Sequence, residues 1–187
     1  MSWSRRQALV LLAGALVPAG CGFRPMLADR PGAAGRGGAS GALAGIYVHS
    51  VTYSKEEDAR FGQEIRNALI DRLGLPDQPT YGLTLVGSLI RRSSGITKRD
   101  RTTRYTMSAS ITFQLRALDR AGVQPPKPLL SGTETSWAAY DVIGSPFANE
   151  MNERDAVSRT AEQIADQLYT RLGAYFSQAP APAGRVL

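Results

Sequence analysis

Tyr105-Thr106-Met107-Ser108-Ala109-Ser110-Ile111-Thr112-Phe113-Gln114-Leu115-Arg116-Ala117 carries the sharpest pattern in this chain, and its reading decides the fold. Tyr105, Met107, Ala109, Ile111, Phe113, Leu115 and Ala117 fall on one side of an extended strand. Thr106, Ser108, Ser110, Thr112, Gln114 and Arg116 fall on the other. Side chains alternate across a strand with a period of two. A pattern this long predicts a sheet with one face packed on a core and the other turned to water or a polar partner.

Working outward, Tyr81, Leu83, Leu85 and Leu89 alternate with Gly82, Thr84 and Ser88, predicting a preceding strand. A following strand is expected near Leu130 to Tyr140, after the turn residues Pro125, Pro126 and Pro128. The β-branched run Ile46-Tyr47-Val48-His49-Ser50-Val51 predicts the first strand. Between the first two strands, Ser54-Lys55-Glu56-Glu57 fits a capping box, and Phe61, Ile65, Ala68/Leu69 and Leu73 recur at helical spacing until Gly74 and Pro76. Glu56, Glu57 and Asp58 then lie in the first turn, where carboxylates favour the positive end of the helix dipole. Ser145-Pro146 reads as an N-cap with proline at the first helical position. Val157, Ala161, Ile164, Leu168, Leu172 and Tyr175/Phe176 form the stripe of a long final helix over 147–177, which would span roughly 45 Å. The order is β-α-β-β-β-α. Two helices with single apolar stripes and a sheet with one apolar face predict an α+β two-layer sandwich, both helices on one face of a four-stranded sheet. A coiled-coil reading of the last helix is the alternative, although its stripe is short and lacks regular heptads.

The ends of the chain read differently. Arg5 and Arg6 precede the uncharged run Ala8 to Val17, about ten residues, too short to cross a hydrocarbon core and fit for a signal-peptide h-region. Pro18-Ala19-Gly20-Cys21 places small residues before the single cysteine and resembles a bacterial lipobox, in which the cysteine is acylated and becomes the mature N-terminus. The other reading is a cleaved secretory signal with an incidental cysteine. Ser4-Arg5-Arg6-Gln7 is similar to a twin-arginine signal, so both export routes stay open. Gly22, rather than Asp, follows the cysteine and favours the outer membrane. Ala28 to Gly45 is dominated by Gly and Ala and predicts a flexible linker reaching about 20–25 Å. The expected organisation is a signal over 1–20, an acylated Cys21 and linker over 21–45, one domain over 46–178 and a frayed tail over 179–187.

The 187 residues suffice for one domain with appendages. Apolar residues at 43% and charged residues at 20% exclude both a disordered polyelectrolyte and a multi-span membrane protein. One cysteine excludes a disulfide framework or a multi-cysteine zinc site, and one histidine leaves little for acid–base chemistry near neutral pH. His49 falls inside a predicted strand and reads as structural. There is no GxGxxG after a strand, no phosphate-binding Gly–Lys loop and no HExxH, so no enzyme, cofactor or metal site is expected. Net charge is +6, falling to +4 once a leader carrying Arg5 and Arg6 is removed. The cations are not evenly spread. Arg91, Arg92, Lys98, Arg99, Arg101 and Arg104, opposed by Asp100 alone, cluster around Ser93, Ser94 and Gly95 in an expected hairpin loop. Guanidinium forks suit phosphate oxygens, so the loop is a candidate anion site, with a solvated, solubilising loop as the other reading. No aromatic is interleaved for base stacking, and nucleic acid is not an expected partner.

Cys21-Gly22-Phe23-Arg24-Pro25 after a signal, followed by this element order, resembles the LPS-assembly lipoprotein LptE family. The closing segments Tyr140-Asp141-Val142, Ser145-Pro146-Phe147-Ala148, Glu153-Arg154-Asp155-Ala156, Ile164-Ala165-Asp166-Gln167-Leu168 and Arg171-Leu172 carry the same resemblance, which covers essentially the whole mature chain. It implies an outer-membrane lipoprotein seated in the lumen of the barrel LptD, forming a plug-and-barrel translocon that places lipopolysaccharide in the outer leaflet. Thr106, Ser108, Ser110, Thr112 and Gln114 would then face the barrel. The basic loop would correspond to the family's lipid A contact, with Lys98 the best positional match and Arg99 and Arg101 next. Asn149 stands where some members carry a basic residue. The alternative function is a stand-alone lipoprotein that binds an anionic ligand or cell wall through the same loop.

Overall fold

The strand at the centre of the sequence pattern is also at the centre of the sheet. In a computed structural model that describes residues 39–49, 51–53, 59–96, 102–118 and 127–178, β3 (Tyr81–Ile96), β4 (Thr102–Ala117) and β5 (Leu130–Asp141) form an antiparallel meander, β4 pairing along its length with both neighbours. The short strands β1 (Ile46–Val48) and β2 (Thr52–Tyr53) both pair in parallel with β3 on its other side. Helix α1 (Ala39–Ala44) precedes β1, α2 (Ala59–Leu73) connects β2 to β3, and α3 (Pro146–Gln178) follows β5. The two-layer α+β arrangement is the expected one, with a fifth strand and a short extra helix added.

Both additions have a physical cause. The run expected as one strand pairs Val48 with Leu83 but Thr52 with Val86, so its edge spends one residue more than β3 does. That extra residue breaks the ladder as a bulge does and shifts the alternation, so that Ile46 and Val48 and then Val51 are all buried. The end of the expected linker is corrected in the same way. Residues 39–44 are helical, and Leu43, only 2% exposed, plugs the core. Gly/Ala-rich composition conceals this, because one leucine suffices to dock a short helix. The signal, Cys21, the Ser54 capping box with Glu56, Glu57 and Asp58, and the C-terminal tail lie outside the described residues.

The core sits between the helices and the inner face of the sheet. β4 supplies Met107, Ala109, Ile111, Phe113 and Leu115, β3 supplies Leu83 and Leu85, and α2 supplies Phe61, Ile65, Leu69 and Leu73. The α3 stripe, Val157, Ala161, Ile164, Leu168 and Leu172, is buried against the sheet and α2, so it is a core stripe and not a coiled-coil seam. Burying one such Leu or Ile contributes about 1.5–3 kcal/mol. Close approach is secured by small residues: a Cβ at Gly62 would fall 1.3 Å from the Tyr53 hydroxyl oxygen, and one at Gly132 would fall 2.8 Å from Arg171 Nη2. Gly74, at φ +82°, ends α2 as a left-handed cap, its N–H donating to Ile70 O at 2.7 Å. Ser145 caps α3 as expected, its hydroxyl accepting from Ala148 N–H at 3.5 Å.

Candidate functional site

The helices lie on one side of the sheet, which leaves its other face uncovered among the described residues. Register places its side chains in transverse rows across β3, β4 and β5: Thr84, Gln114 and Ser131; Val86, Thr112 and Thr133; Ser88, Ser110 and Thr135; Ile90, Ser108 and Trp137; Arg92, Thr106 and Ala139. The first four rows carry no formal charge. The Thr112 and Thr133 hydroxyls bond each other across strands at 3.1 Å. The proposed partner-facing residues Thr106, Ser108, Ser110, Thr112 and Gln114 therefore share one face. That face departs from the wholly polar surface expected, because it also holds Val86 (48% exposed), Ile90 (48%) and Trp137 (69%). A surface of hydroxyls and isolated apolar groups is cheap to cover with another protein. Hydroxyls can re-pair with new partners, whereas each buried charge would need a matched counter-charge. The Trp137 signal was hidden because the inner positions of β5 include Gly132, Glu134 and Ser136, which blurs the alternation that would reveal its outward phase.

The basic cluster is not the loop that its composition suggests. Strand pairing runs to Ile96 and resumes at Thr102, so Arg91, Arg92 and Arg104 stand on strands; Lys98, Arg99 and Arg101 lie outside the described residues. Nor do the three described arginines act alike. Arg91 points to the helix side, where its Nη1 lies 2.8 Å and 2.9 Å from the two carboxylate oxygens of Glu153 on α3. The Tyr140 hydroxyl donates to Glu153 at 3.1 Å, and the Arg91 guanidinium lies 5.4 Å from the centroid of Tyr105, whose ring stacks on Tyr140 at 5.6 Å. Hydrogen bonding with Tyr140, and then the Glu153 charge, hold Arg91 protonated even more firmly than usual. Burial is the main reason that the Tyr140 phenol is pushed above its ordinary pKa. Arg91 thus clasps β3 to α3. Arg92 and Arg104 are the exposed pair on the open face, and Arg104 faces Asp141 at 3.7 Å in a solvated contact of little net worth.

Past this end of the sheet, the chain turns from β5 into α3. Val142 N–H donates to Thr103 O at 2.9 Å, tying the turn to the start of β4. Asn149, which stands where the resemblance puts a basic residue in some members, serves the backbone: its Oδ1 accepts from Ile143 N–H at 2.7 Å and its Nδ2 donates to Ile143 O at 2.9 Å. His49 sits beside β1, its N–H donating to Leu83 O at 3.0 Å and its ring 5.0 Å from that of Tyr47. Among the described residues, no cluster of three or more His, Cys, Asp or Glu could hold a metal, and no helix is long and apolar enough to cross a membrane.

Among solved structures, the fold is similar to that of a lipoprotein from Caulobacter crescentus CB15, with 22% identity and a TM-score of 0.56 over 75% of this chain and 97% of that one. Rare lipoprotein B from Shewanella oneidensis aligns at 16% identity and a TM-score of 0.47, covering 68% of this chain and 95% of that one. A minor lipoprotein from Acinetobacter baumannii aligns at 14% and 0.43, covering 69% and 95%. No curated protein sequence matches this chain. The family model for LptE, described as lipopolysaccharide-assembly, matches residues 43–172, from the helix before β1 almost to the end of α3. With well over half of its length matched, the chain belongs to the LptE lipopolysaccharide-assembly family.

Proposed function

We propose that this protein is the non-catalytic lipoprotein subunit of an outer-membrane lipopolysaccharide translocon. It is anchored by acylated Cys21, plugs the LptD barrel with its open sheet face and binds lipopolysaccharide at its basic end. The observation that carries the reading is the uncharged face of Thr84 to Ile90, Ser108 to Gln114 and Ser131 to Trp137, left open by helices packed on the other side. A sheet face that met only water would gain from charged side chains, which resist association. Here the charge is confined to the two ends, by Arg116 at one and by Arg92, Arg104 and Asp141 at the other. The lumen of a large barrel is lined by polar side chains and suits such a surface.

The acyl chains expected on Cys21 would keep the domain at the membrane, since one chain alone binds only marginally and more than one holds firmly. A photo-crosslinking residue at Ser108 or Ser110, both on the open face, tests the reading in intact cells. The expected product joins this chain to the barrel, and the same residue at buried Ala109 gives none. Recovery of the protein only as a free monomer from cells with intact lipopolysaccharide export would overturn the reading and leave a stand-alone lipoprotein that binds an anionic ligand.

A further inference from the structure

The turn from β5 into α3 leaves two large apolar side chains in water. Ile143 is 52% exposed and Phe147 73% exposed. Neither is loose chain. Asn149 holds the Ile143 backbone through both its donor and its acceptor, Val142 is bonded to Thr103 of β4, and Ser145 caps the helix on which Phe147 stands. Asn152 Nδ2 adds a bond to Asp141 O at 3.1 Å. The backbone of this corner is thus satisfied locally, and its side chains are displayed rather than packed. Such display forfeits the gain from burial, which a partner with apolar surface would restore.

Charge at the same end narrows the partner. Asp141, the last residue of β5, pairs in register with Arg104, and Arg92 stands on the outward row beside Thr106 and Ala139. The Arg104–Asp141 contact leaves both side chains more than half exposed, so the guanidinium can turn to a stronger acceptor. Guanidinium groups at the same end of the sheet as a rigid apolar corner supply two parts of one surface, one for phosphate oxygens and one for hydrocarbon. The geometry points to Ile143 and Phe147 as an acyl-chain contact for lipopolysaccharide, whose lipid A phosphates lie on Arg92 and Arg104. The inference rests on the proposed lipopolysaccharide binding and deepens it by dividing the ligand between two sets of residues.

The test compares two probes on the purified full-length protein in one non-ionic detergent: lipid A, and the same bis-phosphorylated disaccharide stripped of all acyl chains. Wild type binds lipid A on the order of ten- to hundredfold more tightly than the stripped backbone, the gain that burying one or two such side chains supplies. The Ile143→Ser/Phe147→Ser double variant loses that preference and binds the stripped backbone as wild type does. Phe147→Leu retains most of the preference. Arg92→Gln/Arg104→Gln weakens both probes by the same factor. Because Ile143 and Phe147 are exposed, the thermal midpoint of the double variant stays at the wild-type value. A double variant that keeps the wild-type ratio overturns the inference, as does phosphatidylglycerol binding as tight as that of lipid A. Equal wild-type binding of the two probes sinks this inference alone, whereas binding of neither sinks the proposed function with it.

Discussion

The two faces of β4 are built from alternate residues of one strand and obey opposite rules. On the inner face, Ile111, Phe113 and Leu115 are sealed between sheet and helices. On the outer face, Thr112 and Ser108 stand in water beside Thr133 and Trp137. Neighbours in sequence thus serve different ends: one set supplies folding free energy, the other a surface that can be covered by a second protein. Substitutions on the two faces should separate stability from assembly.

The largest effect is expected inside. Phe113→Ala removes a fully buried ring at the centre of the sheet and should cost about 3–5 kcal/mol, read as a fall in the urea midpoint of the purified domain. A loss below about 1 kcal/mol would mean that the inner face is not the core it looks to be. Gly62→Ala comes next. The added methyl meets the Tyr53 ring, and overpacking of this kind costs about 1–3 kcal/mol. Combining it with Tyr53→Ala should cost less than the sum of the two single changes, because the clash then has no partner.

Alkaline titration gives a smaller effect. The Tyr140 and Tyr81 phenols are both raised, by burial first, so the folded state holds their protons longer than the unfolded chain does. Their contribution is complete below pH ~10, the unfolded value, and is lost as pH rises through the folded values. Wild type should therefore lose stability above pH ~10 more steeply than a Tyr81→Phe/Tyr140→Phe variant, as measured by urea unfolding at pH 8 and pH 10.5. Equal slopes would rule out this contribution. The least change in stability is expected outside. Ser110→Asp should alter the unfolding free energy by no more than ~0.5 kcal/mol, yet abolish co-purification with the barrel by forcing an unpaired charge into the interface. Intact co-purification would move the partner surface elsewhere.

Legibility in the sequence followed the range of the interactions. The β4 pattern, the Ser145 cap and the Gly74 stop are local devices, and each was readable from adjacent residues. The clasp of Arg91 by Glu153 joins positions 62 residues apart and depends on how α3 lies across the sheet. Composition alone made Arg91 one of six equivalent cations, and the fold divides it from Arg92 and Arg104. Helix α1 escaped because a glycine–alanine stretch with one leucine looks like a tether until a pocket for that leucine exists. The outward phase of Trp137 was obscured by small and polar residues on the inner side of β5. Ile143 belongs to a turn, where no periodicity assigns a side chain to either phase, and Phe147 stands in the first turn of α3, ahead of the apolar stripe that begins at Val157.

The surplus residue between β1 and β2 reconciles an odd spacing in the sequence with a single inward face, since Val48 and Val51 could not both point inward on an unbroken strand. Deleting one residue between Val48 and Val51 would let the ladder run straight with Ile46, Val48, Val51 and Tyr53 all in one phase, so the shortened link should keep these residues on the inner side. Adding a residue to that link would instead leave two surplus residues to absorb before β2 could pair with β3.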